Sequence, residues 1–165
     1  MDKRKKKILI GVIAVTVIAF AAFIAGMIFL MSTVFSDRDP ITAEEFRVEM
    51  YERGFEVQDR NDDLNQVNIE YALIANKDEK QIEFYQFANE RNAIQFFNEN
   101  KLKFEASKGS RHAESSRNFA NHARYSLRAN DLFSVVSRIE NTVIYLVVAA
   151  SDREAVNDIL RELGY

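Results

Sequence analysis

The part of this sequence best equipped for chemistry is a basic stretch, residues 101–128, with seven cationic and two acidic residues. Six side chains in it are predicted to lie on one strand face or in the loop before it: Arg111, His112, Arg117, His122, Arg124 and Arg128. Guanidinium groups bind carboxylates and phosphates through paired, charge-assisted hydrogen bonds. These six residues are therefore a candidate anion-binding patch. We nevertheless favour a solvated strand face whose arginines pair with nearby acidic residues, because exposed ion pairs usually do little.

A second candidate is an acidic stretch with the spacing of a calcium-binding loop. Its oxygen-bearing residues match five ligand positions of such a loop: Asp59, Asn61, Asp63, Asn65 and Glu70. Leu64 occupies the position that requires glycine for a sharp turn, and the flanking residues have strand rather than helix patterns. We therefore favour a solvated turn and expect no metal here.

Catalytic motifs are not apparent. His112 and His122 are the two histidines, and neither an HExxH spacing nor a cysteine accompanies them. The serine signatures GxSxG and SxxK are also absent from the sequence. We expect a non-catalytic protein without a cofactor, and keep an enzyme as the alternative.

The element that determines where any such site would act is an apolar run near the amino end. Residues 8–35 carry no charge, and Thr16, Ser32 and Thr33 are their polar residues. A bilayer core of about 30 Å needs roughly 20 apolar residues. We therefore predict an uncleaved membrane helix, residues 8–31, and a tether, residues 32–40. A cleaved signal peptide is the alternative, but its apolar region is typically about 7–15 residues long.

Charge predicts the orientation and narrows the partners. The tail, residues 1–7, holds five cations, and the basic flank of a membrane helix stays in the cytoplasm. Residues 41–165 should then form one extracytoplasmic domain at the cell membrane. Without the tail, the chain has 17 cationic and 24 acidic residues, a net charge of −7, which argues against nucleic acid as a partner. No cysteine is present, which excludes disulfides and cysteine-linked lipids.

Small residues inside the predicted membrane helix offer a possible contact with another helix. Ala22 and Gly26 are four residues apart, the spacing that allows two membrane helices to approach closely. Lipid solvation is the simpler alternative, because alanine and glycine are common in membrane helices. The expected partners are the lipid bilayer, other membrane proteins or a second copy of the chain, and an anionic envelope ligand.

Hydrophobic periodicity predicts an α+β fold for the domain. A capping box at Thr42 and Glu45 begins a helix, and residues 117–128 alternate as a single strand after a polar loop, residues 107–116. Two hairpins are each followed by a helix, capped by Asn89 and Ser151 respectively. We expect an antiparallel sheet with helices packed mainly on one face. The two hairpin-plus-helix segments are open to interpretation as repeated ββα units or as independent solutions to the same local rules.

A basic start, a long apolar helix and a small α+β domain together resemble the layout of type IV pilins. Pilin-like starts carry a glycine before an aromatic residue and an acid a few residues into the helix. Residues 7–11, Lys-Ile-Leu-Ile-Gly, have neither feature. A pilin-like subunit is therefore a remote alternative. The expected function is a membrane-complex subunit with a non-catalytic binding or accessory domain, and the alternative is an extracytoplasmic sensor or enzyme acting on an anionic ligand.

Overall fold

The chain divides into two units, Met1–Ser36 and Asp37–Tyr165. A computed structural model describes residues 19–27, 37–60 and 68–165. Residues 19–27 form a helix, α1, whose side chains are exposed. The other positions of the predicted membrane helix, 8–18 and 28–31, lie outside the described residues. Within the described ranges, no helix combines the length and the apolar character that crossing a membrane requires.

The second unit is an α+β domain with a seven-stranded antiparallel sheet, which confirms the predicted fold class. The order of the strands across the sheet is β1-β2-β3-β7-β6-β5-β4. Their bounds are β1 Glu56–Asp59, β2 Ile69–Lys77, β3 Lys80–Phe87, β4 His112–Asn118, β5 His122–Ala129, β6 Leu132–Ile139 and β7 Thr142–Ala149. Strand β7, which is apolar on both faces in the sequence, lies at the centre of the sheet, as that pattern predicts.

Three helices pack on this sheet: α2 Ala43–Glu52, α3 Glu90–Ala106 and α4 Arg153–Glu162, the last preceded by a 3-10 turn, Ala150–Asp152. The capping box predicted for α2 is present, because Thr42 and Glu45 bond to each other's backbone N–H groups. Asn89 caps α3 by accepting a hydrogen bond from the backbone N–H of Asn92. These local signals correctly predicted where α2 and α3 begin. The cap predicted at Ser151 is wrong, because Ser151 lies inside the 3-10 turn and α4 begins at Arg153 without a side-chain capping hydrogen bond.

The prediction of helices mainly on one face holds in part, because two of the three helices lie on one face of the sheet and the third lies on the other. Phe46 and Met50 of α2 and Leu160 of α4 share one core cluster with β3, β6 and β7. Phe97 and Phe104 of α3 belong to a second cluster with alternate residues of β3, β5, β6 and β7. We call these the α2/α4 face and the α3 face. Each helix has one apolar stripe whichever face it covers, so the stripe alone cannot assign the face.

The predicted loop, residues 107–116, and single strand, residues 117–128, are also corrected. The structure forms a β4–β5 hairpin in this region, and all seven residues of β4 are exposed. An edge strand that is wet on both sides needs no alternation of apolar and polar residues. That is why β4 gave no strand signal.

Candidate functional site

The predicted basic strand face belongs to β5, next to the edge of the sheet. Its apolar residues Ala123, Tyr125 and Leu127 enter the core on the α3 face. Because side chains alternate along a strand, Arg124 and Arg128 point to the α2/α4 face. Their β6 neighbours on that face are Ser137 and Phe133 respectively. This face is covered by α4 only in part, which leaves a groove beside the helix.

Two arginines stand directly opposite each other in this groove. Arg117 of β4 is the register partner of Arg124 of β5. The backbone N–H of Phe119 donates to the His122 oxygen at 2.8 Å, two positions along the same ladder. By the alternation of an antiparallel pair, Arg117 and Arg124 are also a hydrogen-bonded pair, with Cα atoms about 5.5 Å apart. Like charges at such positions repel each other and destabilise the hairpin.

Helix α4 contributes a row of polar side chains to the same groove. Arg153, Asn157 and Arg161 are spaced by four residues and therefore share one side of the helix, next to its buried stripe. The Asn157 Oδ1 atom accepts a hydrogen bond from Arg124 at 2.6 Å. The Arg153 guanidinium lies 5.7 Å from the centre of the Phe133 ring. Helix α4 thus adds two cations, Arg153 and Arg161, to a groove that already contains Arg117 and Arg124.

The residues after α4 accept hydrogen bonds from the guanidinium groups of Arg124 and of one further arginine, Arg38. Gly164 has a φ of +84°, and its N–H and that of Tyr165 bond back to the last turn of α4. This is the Schellman arrangement, which needs a residue free to adopt left-handed geometry. It leaves the Gly164 oxygen to accept from Arg38 at 2.8 Å and the Tyr165 main-chain oxygen to accept from Arg124 at 3.1 Å.

Together these residues form what we call the arginine groove, with a volume of about 400 Å³. Of the ten lining residues that the structure describes, five are arginines and none is an aspartate or glutamate. The polar ones are Arg38, Ser115, Arg117, Arg124, Ser126, Arg153, Asn157 and Arg161. Asp158 pairs with Arg161 at 2.6 Å, where both side chains are largely exposed. Among the described residues, no Asp or Glu side chain forms an ion pair with Arg117, Arg124 or Arg153. The groove therefore concentrates positive charge in a domain that is acidic overall.

The surroundings of Arg124 disfavour its charged form. Burial lowers the pKa of its guanidinium, and the charges of Arg117 and Arg38 lower it further. The group stays protonated, because arginine does not release its proton in proteins. An anion placed in the groove would relieve the repulsion and accept charge-assisted hydrogen bonds from the guanidinium groups.

His122 borders a smaller cavity of about 70 Å³ that shares Arg38, Arg117 and Arg124 with the groove. Its ring is stacked on Phe119, with centroids 4.5 Å apart, and its Nδ1 lies 3.0 Å from the Asn121 side-chain oxygen. Burial lowers the pKa of His122, and so do the charges of Arg38 and Arg138, while Asp37 opposes them. His122 is therefore a buried neighbour of the groove and is held neutral at pH 7.

The six-residue patch expected from the sequence is only partly assembled. Arg117, His122 and Arg124 converge at one end of the hairpin, whereas the other three surround a separate open cavity at the far end: Arg111, His112 and Arg128. The partner of His112 in β5 is Ala129, seven residues from His122, a distance of about 23 Å along the strand. The two histidines therefore cannot share a ligand.

Sequence reasoning missed three of the five arginines of the groove, and Asn157. Arg153, Asn157 and Arg161 had a usable signal, because a spacing of four places polar residues on one side of a helix. Arg38 had none. It lies in the predicted tether, and its backbone and the Asn121 side chain exchange hydrogen bonds of 3.3 and 2.8 Å.

The other two candidate sites are the calcium-like spacing and the helix contact at Ala22 and Gly26. Asn61, Asp63 and Asn65 of the calcium-like spacing lie outside the described residues. In the ranges that are described, no group of three or more His, Cys, Asp or Glu residues is placed to hold a metal ion. Ala22 and Gly26 lie in α1, and a side chain added at Gly26 would meet no other atom of the described structure within 4 Å.

Comparison with known proteins adds no relative to this description. No protein-family model, curated protein or solved structure matches the chain.

Proposed function

We propose that this chain is a single-pass membrane protein whose extracytoplasmic domain is a non-catalytic module that binds an anionic partner in the arginine groove. One observation carries the proposal. Five arginines from four separate segments converge on one groove, and no Asp or Glu in the described part of the chain lines it. Two of them face each other across a strand pair at a cost to the hairpin. A carboxylate or phosphate is the ligand chemistry that a set of guanidinium forks matches.

The chemistry of the lining favours binding over catalysis. Arginine does not give up its proton near neutral pH, so it serves poorly as a general acid or base. It can supply a permanent positive charge and a rigid set of hydrogen-bond donors, which the recognition of an anion requires. His122 borders the groove, but its ring is stacked on Phe119 and its lowered pKa keeps it neutral. We therefore assign the groove a binding role.

The sequence supports membrane attachment. The uncharged run over residues 8–35 is long enough to span a bilayer, and the five cations before it favour a cytoplasmic amino end. Arg38 lies seven residues after the end of the predicted membrane helix, at most about 25 Å away along an extended chain. Attachment would confine the groove near the membrane and raise its effective concentration toward membrane neighbours, so that weak contacts would suffice.

Anion binding is tested on the full-length chain in maltoside micelles by calorimetric titration with inorganic pyrophosphate. We expect binding that weakens by about tenfold or more between 50 and 500 mM NaCl, since the contacts are electrostatic. Arg117→Glu should abolish it. Arg128→Glu is the matched control, because Arg128 points to the same face of β5 but lies outside the groove. Equal losses in the two variants, or no binding by the wild type, would overturn the proposal.

Orientation is tested with single cysteines, which the cysteine-free chain makes straightforward. Ser110→Cys places a thiol at an exposed position of the domain. We expect a membrane-impermeant maleimide to label it in intact, wall-stripped cells. A cysteine in place of Lys5 should react only after the cells are permeabilised. The reverse pattern would contradict the proposed topology.

A membrane-complex subunit that assembles through its helix is a second candidate. Ala22 and Gly26 lie one turn apart on α1 with open space around Gly26, which would allow a close helix approach. Gly26→Ile should weaken in-cell crosslinking to a partner, and Ile24→Phe, on the opposite side of α1, should not. Equally strong crosslinking in both variants would refute a helix contact through Ala22 and Gly26.

A further inference from the structure

We propose that the anionic partner is an acidic peptide segment that adds to the sheet as an eighth strand along the outer edge of β4. This inference rests on the proposed function, because the arginine groove would hold the segment's carboxylates. It names the class of ligand, a protein segment, and the way it binds. Strand addition obtains affinity from main-chain hydrogen bonds and specificity from alternate side chains.

Strand β4 is a long, open edge of the sheet. It ends the sheet, and no strand of the described chain pairs with its outer side. Proteins usually shield an edge with a short strand, charged side chains (lysine above all), proline or a bulge, and of these β4 has only the charged Glu114 and Arg117. The opposite edge strand, β1, has only four residues, whereas β4 has seven residues, without lysine or proline, and an uninterrupted register with β5.

The register with β5 shows which main-chain N–H and C=O groups of β4 face outward. The Phe119 N–H points to β5, so by alternation Arg117 and Ser115 also direct their main-chain groups inward. Glu114 and Ser116 then present their N–H and C=O groups outward. Seven residues extend over about 24 Å, enough for a peptide segment of similar length.

The two faces of β4 differ in charge. On the α2/α4 face, Arg117 and the arginine groove lie beside the edge. On the α3 face the edge presents Glu114, which pairs with Lys108. An added strand alternates its side chains between these faces. Its acidic residues should therefore occupy every second position, with uncharged residues between them.

The test uses two labelled peptides of identical composition and net charge. One alternates glutamate and threonine over seven residues, and the other groups four glutamates before three threonines. Fluorescence anisotropy with the full-length chain in maltoside micelles should show at least tenfold tighter binding of the alternating peptide. Equal affinities would overturn strand addition, because attraction to the groove alone does not depend on order.

A variant that alters the main chain of β4 tests the contribution of the edge to binding independently of the groove. Ser116→Pro removes one outward N–H, while the inward hydrogen bonds and the groove arginines stay in place. We expect it to weaken binding of the alternating peptide at least tenfold and to leave pyrophosphate binding unchanged. Far-UV circular dichroism checks the fold, and methylation of alternate peptide nitrogens offers the same test with an unaltered protein. Unchanged peptide binding in both experiments would overturn the inference while the proposed function stands.

Anionic lipid is the competing occupant of the groove. Nanodiscs of phosphatidylcholine with and without 30% phosphatidylglycerol distinguish it from a peptide. Full-length protein should bind the alternating peptide to a similar extent in both. Loss of peptide binding in phosphatidylglycerol discs, restored by 500 mM NaCl, would assign the groove to lipid and overturn the peptide proposal. If neither peptide binds while pyrophosphate does, only the peptide proposal fails; if pyrophosphate does not bind either, the proposed function fails as well.

Discussion

Reversing one charge of the opposed arginine pair should make the domain more stable while it abolishes anion binding. Arg117→Glu turns the repulsion between register partners Arg117 and Arg124 into an attraction. At a charge separation of about 7 Å, two unit charges in water interact by about 0.6 kcal/mol. Changing one sign alters that energy by roughly twice as much, and physiological salt reduces it by about half. We expect a gain of about 0.5–1 kcal/mol in the free energy of unfolding.

The assay is urea unfolding of the full-length chain in maltoside micelles, followed by tyrosine fluorescence at 20 and 500 mM NaCl. For a domain of this size the gain corresponds to roughly 2–5 °C in Tm. It should shrink at the higher salt concentration, because screening weakens the interaction that causes it. Pyrophosphate titration of the same samples should show no binding.

Arg128→Glu again serves as the matched control. The register partners of Arg128 are Ala113 and Phe133, so no like charge faces it directly. We expect its unfolding free energy to stay within about 0.5 kcal/mol of the wild type, as for most surface substitutions. If Arg117→Glu were no more stable than Arg128→Glu, or if its gain persisted at high salt, the repulsion argument would be refuted. A stabilising change that removes binding is typical of a site where function costs stability.

Three further predictions concern the supports of the groove. Arg124→Met removes hydrogen bonds to Asn157 and to the Tyr165 oxygen, so it should lower the free energy of unfolding by about 1–2 kcal/mol in urea titrations. Gly164→Ala forces a side chain into left-handed geometry, which should cost about 1–2 kcal/mol, measured as a lower urea midpoint. The lowered pKa of His122 means that the unfolded chain takes up its proton first as the pH falls. Stability should therefore decline below about pH 6.5, and urea midpoints of His122→Phe should decline less.

The sequence predicted the elements whose signals are local. The capping box at Thr42 and the cap at Asn89 depend on atoms within three residues of each other. The apolar character of β7 on both faces indicated a central strand, because a strand covered on both sides has no polar face. The class of fold followed from these periodicities.

Strand β4 and the face that each helix covers could not be predicted in this way. An exposed edge strand satisfies half of its hydrogen bonds with β5 and the rest with solvent, so it needs no apolar residue to form. A helical stripe records that one side is buried but not against which surface. Those choices depend on the order of strands in the sheet.

By itself, the sequence determined the apolar run, the acidic balance of the domain, its α+β class and the basic character of residues 101–128. Tertiary structure alone decided which cations meet. It brought Arg38 and Arg153, far apart in the chain, beside Arg117 and Arg124, and separated Arg128 from them. The physical reason is that charge is a property of each residue, whereas its convergence depends on strand register and helix placement, which are set by the burial of apolar side chains in both cores.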